Sequence, residues 1–414
     1  MQFVTLEPMR CCIILCLVTV PVVMNAQNPS GLIVPPRAQV RDTSGQRDLI
    51  GLVKQLTHLH IKKPAPEKGR KVYYSLLPIG SSVPGGGTAL VTSTQAAFYL
   101  GERKTTYISN ITFSPSTNFK GQFNLPFRGN IWLPGNRWNL QGDMRYSFFP
   151  QKTWGLGGNH ADDDPLLIDY SYFRFYLNGL KRIRPYFFAG IGYALDYHLS
   201  IESETDSMDL QKYTGYAYGT GPHGSSFSSG ITFNLLYDAR INSINPLPGY
   251  YYNLVYRINP RFLGSGDNWN SLYADVRKYI PFSRREQNTL ALWTYFWTVL
   301  GSKAPYLSLP ALGWDSQQRS GRGFYNRRYA GTSLWYLEAE YRRQITNDGL
   351  LGFVVFSNLN SVTEQNSRKF AYLHPAAGAG ARIKFNKNSG TNLAIDFAVS
   401  DDYKAIYLAL GEAF

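Results

Sequence analysis

The side chains able to do chemistry are few, and they assemble into no recognisable catalytic group. His198-Leu199-Ser200 and His223-Gly224-Ser225 each set an imidazole near a hydroxyl, the pair a hydrolase uses to activate serine. Both lie at or near expected loops, and neither shows a nucleophile motif. Asn159-His160-Ala161-Asp162-Asp163-Asp164 offers three carboxylates in series. Their oxygens suit calcium, but the spacing follows no known calcium loop and reads as a solvated acidic tip. His58 and His60 lack a Cys or carboxylate partner nearby, so they read as surface residues and not as metal ligands. No enzyme activity, metal or cofactor is expected.

The elements that would have to position any site carry a clearer signal. From Arg137 to Phe148, Trp138, Leu140, Met144, Tyr146 and Phe148 fall on one face, while Arg137, Asn139, Gln141, Asp143, Arg145 and Ser147 fall on the other. That is a strand with one apolar and one wet side. Such segments are expected near 71–83, 88–100, 104–114, 118–133, 136–149, 165–178, 182–198, 224–238, 248–262, 268–281 and 286–300, and again at 332–344, 349–360, 372–386, 391–400 and 404–414. Tyr250, Tyr252, Leu254, Tyr256 and Ile258 oppose Asn253, Arg257, Asn259 and Arg261, and Leu393, Ile395, Phe397 and Val399 oppose Asn392 and Asp396. Segment 165–178 puts rings on both faces through Tyr170, Tyr172, Phe173, Phe175 and Tyr176, as if its wall packed on an inserted loop.

An even set of sixteen two-faced strands is satisfied by a closed antiparallel sheet with lipid outside and polar atoms within. The expected fold is therefore all-β, a 16-stranded antiparallel transmembrane β-barrel. Pro134-Gly135-Asn136 and Asn386-Lys387-Asn388-Ser389-Gly390 are turn sequences. The longer connections at 150–164, 199–223 and 301–331 belong outside the cell, because barrels keep their short turns on the periplasmic side.

Composition agrees with a barrel. A mean hydropathy of −0.25 would suit a soluble protein, but averaging hides a period of two. The 30 Tyr, 24 Phe and 8 Trp suit membrane interfaces, where a ring meets lipid and its polar edge meets headgroups. A net charge of +14 comes without any basic cluster interleaved with stacking aromatics, so nucleic acid is not an expected partner. Most of the wet-face Arg should pair with Asp or Glu, and any surplus would favour anionic solutes or lipid phosphates.

The cysteines, Cys11, Cys12 and Cys16, all lie in an early apolar stretch that ends at Asn25-Ala26-Gln27. Residues 1–26 read as a secretory signal. Residues 27–70 read as a short periplasmic leader, unstructured over 27–47 and with one amphipathic helix near Asp48–Leu59 at the barrel mouth. The barrel itself is expected over 71–414, in the outer membrane of a Gram-negative bacterium.

The longest loop contains Ser320-Gly321-Arg322-Gly323-Phe324-Tyr325 and then Arg327-Arg328-Tyr329-Ala330-Gly331, and it leads into Tyr336-Leu337-Glu338-Ala339-Glu340-Tyr341-Arg342. These features, with five strands to the end and a closing Phe414, resemble the bacterial surface antigen domain of the BamA/TamA outer-membrane assembly superfamily. The resemblance implies a lid loop folded into the lumen, its Gly321-Arg322-Gly323-Phe324 tip locked where Arg322 meets groups on the next two strands. Glu338 and Glu340 project to one face as a fork of acceptors for a guanidinium. Asn358 stands where many relatives carry Asp, which predicts a lock short of one charge and a looser loop.

Relatives usually carry periplasmic POTRA modules, and Gln27–Arg70 is too short for one of ordinary size, so the chain reads as a member without them. The segment Ile406–Phe414, with Tyr407 and Phe414, resembles the signal by which the barrel assembly machinery recognises its clients. By resemblance, the protein is expected to be an accessory of outer-membrane protein or lipid assembly or translocation. Its expected partners are lipids including lipopolysaccharide, that machinery, and a POTRA-bearing or other periplasmic protein. The alternatives are a passive pore for small anionic solutes and a structural subunit of a larger outer-membrane complex.

Overall fold

In a computed structural model, the alternating segments are strands whose two faces separate as the pattern requires. The structure describes residues 45–56, 72–82, 88–118, 121–159, 164–204, 209–220, 224–240, 242–246, 248–282, 288–301, 303–401 and 403–414. The expected signal, the stretch 27–44, His58, His60, His160, Asp162, Asp163 and His223 lie outside the described residues.

In chain order the strands are β1 (Val72–Ser82), β2 (Thr88–Phe98), β3 (Ser109–Phe113, resuming at Ser116–Thr117), β4 (Phe123–Trp132), β5 (Trp138–Phe148, resuming at Gln151–Thr153), β6 (Leu166–Arg184), β7 (Phe187–Ser203) and β8 (Gly224–Asp238). There follow β9 (Gly249–Asn259), β10 (Trp269–Pro281), β11 (Asn288–Leu300), β12 (Ser333–Gln344), β13 (Leu351–Val362), β14 (His374–Asn386), β15 (Thr391–Val399) and β16 (Lys404–Leu410). Each strand pairs antiparallel with the next in the chain, from β1 with β2 through to β15 with β16. The result is a nearly closed sixteen-stranded ring. β1 and β16 lie side by side, but no register of paired residues joins them among the described residues.

The faces explain the alternation. On β8, Ile231, Phe233 and Leu235 point outward and are 39%, 49% and 43% exposed, while Thr232, Asn234 and Leu236 are buried within. On β5, Leu140, Met144, Tyr146 and Phe148 are exposed and Asn139 and Arg145 are buried. Apolar groups are outside because acyl chains, and not water, are to be their neighbours. Phe233→Arg is therefore expected to cost about 2–4 kcal/mol if it lies near the bilayer midplane. Reversible unfolding from lipid vesicles measures this.

Some boundaries differ from the pattern. The stretch expected to begin a strand at 104 curls instead, with Thr105 N and Thr106 N donating to Glu102 O at 3.0 and 2.9 Å, and β3 starts only at Ser109. No break occurs at 179–181. β6 runs on to Arg184 and turns tightly through Pro185 and Tyr186, the latter at φ +61°. Helix α1 (Leu49–Leu56) starts at Asp48, whose Oδ1 accepts from Gly51 N at 2.8 Å. Asp48 Oδ2 also accepts from Lys387 N at 2.9 Å, and Arg47 N donates to Asp348 O at 3.0 Å. The helix is thereby tied to the barrel end that carries the short turns.

Candidate functional site: a loop seated in the lumen

The connection between β11 and β12 turns inward, and Tyr306, Leu307, Leu309, Ala311, Leu312, Phe324 and Tyr329 are buried along it. Arg327 braces it from within, donating to Tyr306 O at 3.0 Å and Leu307 O at 3.2 Å. The far tip is gripped by the opposite wall, where Arg128 of β4 donates to Gln317 O at 2.8 Å and Arg145 of β5 to Ser316 O at 3.2 Å. Tyr172 of β6 meets Trp314 with ring centroids 5.6 Å apart. Rings on both faces of β6 thus have a cause: one set faces lipid and the other faces the loop.

Arg322 sits at the centre of the seat and is 5% exposed. Its Nη1 donates to Asp396 Oδ2 at 2.6 Å, and its Nη2 to Glu340 Oε2 at 2.5 Å and to Glu338 Oε1. The guanidinium lies over the Phe356 ring, 3.5 Å from its centroid. Glu338 and Glu340 point inward because they alternate with Leu337 and Ala339 on β12. A second tier supports the first. Arg342 Nε donates to Glu340 Oε1 at 2.6 Å, Arg382 to Asp396 Oδ1, and Arg382 Nε to Glu412 Oε2 at 2.8 Å. Burial alone would raise the Glu412 carboxyl, but the Arg382 and Arg342 guanidinia hold it below its ordinary range.

The neighbours of Arg322 are fixed by backbone as well as charge. Gly321 and Gly323 adopt φ +78° and +97°, the region only glycine enters readily. A Cβ on Gly323 would lie 2.9 Å from Ala376 Cβ and 3.3 Å from the Val399 carbonyl group. Gly323 N donates to the Tyr407 hydroxyl at 3.0 Å, and Gly323 O accepts from Ser400 Oγ at 2.6 Å. Phe324 is buried against Tyr329, with ring centroids 5.7 Å apart.

Asn358 does not approach the guanidinium as an acceptor. Its Nδ2 donates to Arg322 O at 2.8 Å, and Asp396 on β15 supplies a third carboxylate. The looser hold expected from a missing charge is not what this geometry shows. Asn358→Asp would exchange a donor for an anion facing a carbonyl, in a cluster that already sets Glu338, Glu340, Asp396 and Glu412 against Arg322, Arg342 and Arg382. It is expected to destabilise the seated loop by about 1–3 kcal/mol, read as faster proteolysis within 301–332 at unchanged barrel content.

Four contributors have no role in the seat that the sequence marks: Asp396, Phe356, Arg382 and the small residues of β14. A Cβ on Gly380 would fall 1.9 Å from Asp396 Oδ1, and one on Gly378 would fall 2.3 Å from Phe356 Cζ. The run Ala376-Ala377-Gly378-Ala379-Gly380-Ala381 was the available signal, because small residues in a strand mark a close approach. Tyr407 and Phe414 both turn toward the lumen. Phe414 packs on Trp293 with ring centroids 5.1 Å apart, and its carbonyl accepts from Arg342 Nη2 at 3.0 Å. His198 is buried, stacked on Tyr172 at 4.5 Å, and its Nδ1 lies 3.1 Å from Ser226 Oγ and not beside Ser200.

Much of the lumenal Arg is paired in a repeated way. Arg145 with Asp143, Arg240 with Asp238, Arg277 with Asp275 and Arg342 with Glu340 are each two residues apart in the chain. Arg257 and Arg174 share Asp196 at 2.5 and 3.3 Å. Between the loop tip and the other barrel end a cavity of about 330 Å³ remains, lined by residues such as Arg128, Asp143, Arg257 and Trp314.

Outward apolar faces, an inward polar network and a long loop seated within define a transmembrane β-barrel of the outer-membrane type. The chain belongs to the Omp85 superfamily, whose domain matches residues 105–414, and it is an outer-membrane protein of a Gram-negative bacterium. Among solved structures it is similar to CdiB from Escherichia coli, at 12% identity and a TM-score of 0.52 over 82% of this chain and 61% of that one. It is also similar to CdiB from Acinetobacter baumannii, at 13% identity and 0.53 over 82% and 59%. BamA from Haemophilus ducreyi lacking POTRA domains 1–3 aligns at 13% identity and 0.49 over 82% and 69%. At these identities the CdiB likeness is one of fold, and this chain spans about three fifths of the CdiB chains. Comparison with curated protein sequences gives no match.

Proposed function

We propose that this barrel works at its seam, as an accessory that lets client strands or lipids pass between β1 and β16 during outer-membrane assembly or translocation. The observation that carries the reading is the ladder: every sequential neighbour pair shares a register, and among the described residues the pair that would close the ring does not. A seam without backbone pairing costs less to open than any other part of the wall. Arg322 holds the lid loop while the seam moves, and the reading is non-enzymatic. Lipids including lipopolysaccharide, the barrel assembly machinery and a periplasmic partner are the surroundings in which it would act, and Tyr407 and Phe414 would serve as an assembly signal before the barrel closes.

Gln95 Oε1 of β2 and Thr391 Oγ1 of β15 lie 2.9 Å apart across the seam, and the sequence has no cysteine after Cys16. A Gln95→Cys/Thr391→Cys chain should restore a deletion strain's envelope when its thiols are free and fail when a short bis-methanethiosulfonate links them, a linker being needed because cysteine is shorter than glutamine. Full restoration by the linked chain removes seam opening from consideration. The loop crossing the lumen and the paired arginines speak against a passive anion pore. A steady current in planar bilayers, insensitive to Arg322→Ala, would restore that alternative.

A further inference from the structure

The connection between β8 and β9 belongs to the side of the ring opposite the seam, eight strands away from it. Its described residues 242–246 nevertheless lie among the seam's own residues. Asn242 Nδ2 donates to Ser389 O at 3.0 Å and Asn245 Nδ2 to Gly390 O at 3.2 Å, which grips the turn between β14 and β15. Between those two side chains, Ile244 is 5% exposed and packs with Ala97 of β2 and with Ile108, beside Tyr73 of β1 and Tyr99. One short segment therefore holds one flank of the seam by hydrogen bonds and the other by apolar contact.

Its shape is built in. Asn242 Oδ1 accepts from Ile244 N at 2.8 Å and Asn245 N at 3.3 Å, a local turn that points Ile244 away from its own strands. The base is fixed by Arg240, whose Nε and Nη2 donate to Asp238 at 2.9 and 2.8 Å, and by Tyr107, whose hydroxyl donates to Asp238 O at 3.1 Å. The structure also shows why such a part is needed at this end. β16 ends at Leu410, paired with Leu393, and Gly411, at φ +94°, makes a last backbone bond to Asn392 O at 2.8 Å. Near that end side chains bridge the gap, with Asn386 Nδ2 donating to Tyr74 O at 3.4 Å and Thr391 Oγ1 to Gln95 Oε1 at 2.9 Å.

We infer that residues 242–246 are a strap across the short-turn mouth that clamps both flanks of the seam, so that the seam opens there only when Ile244 leaves its pocket. The inference deepens the seam reading and rests on it, but its test is separate. In Gln95→Cys/Thr391→Cys chains in lipid vesicles, adding Asn242→Ala, Ile244→Ser and Asn245→Ala should slow cross-linking by a short bis-methanethiosulfonate about tenfold, a change worth roughly 1.4 kcal/mol. Retained heat-modifiable gel mobility shows that the barrel has folded. An unchanged rate in the folded variant overturns the strap. Should the triple variant not fold, Asn242→Cys/Ser389→Cys tests the same idea in reverse: oxidation is expected to slow amide hydrogen exchange along β1 and β16 about tenfold, and no change overturns it. A cross-linked seam that still supports the envelope would defeat the seam reading and leave the strap result standing.

Discussion

Arg322→Ala is expected to release the lumenal loop while leaving the barrel folded, at a cost of about 3–5 kcal/mol. The size follows from what remains. Glu338 and Glu340 are each fully buried, and the Arg322 side chain is what satisfies Glu338 beyond its bond from the Tyr336 hydroxyl. Removing one partner of a buried charge group leaves the others desolvated and opposed. Arg342 and Arg382 still serve Glu340 and Asp396, so the loss falls on the loop more than on the wall. Limited proteolysis should show cleavage within 301–332, and planar bilayers should show new conductance. Arg322→Lys is expected to recover only part of the hold, because one ammonium cannot present the planar fork that meets Asp396, Glu338 and Glu340 together.

Gly323→Val is expected to have a comparable effect by a route that leaves every charge in place. A β-branched residue at φ +97° carries strain on the order of 1–3 kcal/mol, and its Cβ would press on Ala376 and on the Val399 backbone. Backbone does not yield as the end of a flexible side chain would, so the loop has to shift and the bonds to Tyr407 and Ser400 go with it. Total destabilisation of the seat should reach about 3 kcal/mol or more. The same protease assay reads it, with circular dichroism confirming unchanged strand content. If the loop stays protected in both Arg322→Ala and Gly323→Val, the seat is not what holds it.

Expectation and structure part at identifiable residues. Glu338 and Glu340 could be placed on one face from their spacing, and both do reach Arg322. Asp396 was legible as a wet-face residue of β15, yet nothing in its neighbourhood marked it as a ligand of an arginine 74 positions earlier. Asn358, by its place in the family resemblance, predicts a lock short of one charge, whereas its amide turns a donor to the loop backbone. Side-chain type tells which bonds a group can make, and only placement tells which it does make.

What the amino-acid order determined by itself is the strand set and the two faces of each strand, because a period of two is a local property that any pleated segment expresses and a membrane barrel exploits. Residue chemistry also permits a tight backbone on either side of Arg322, at Gly321 and Gly323. The tertiary structure alone decided which residues meet across the lumen: Asp396 with Arg322, Phe356 in the space left by Gly378, and Ile244 against Ala97. Those meetings depend on how far neighbouring strands are staggered and where the ring closes. Stagger and closure are collective properties of sixteen strands, and no single segment's alternation encodes them.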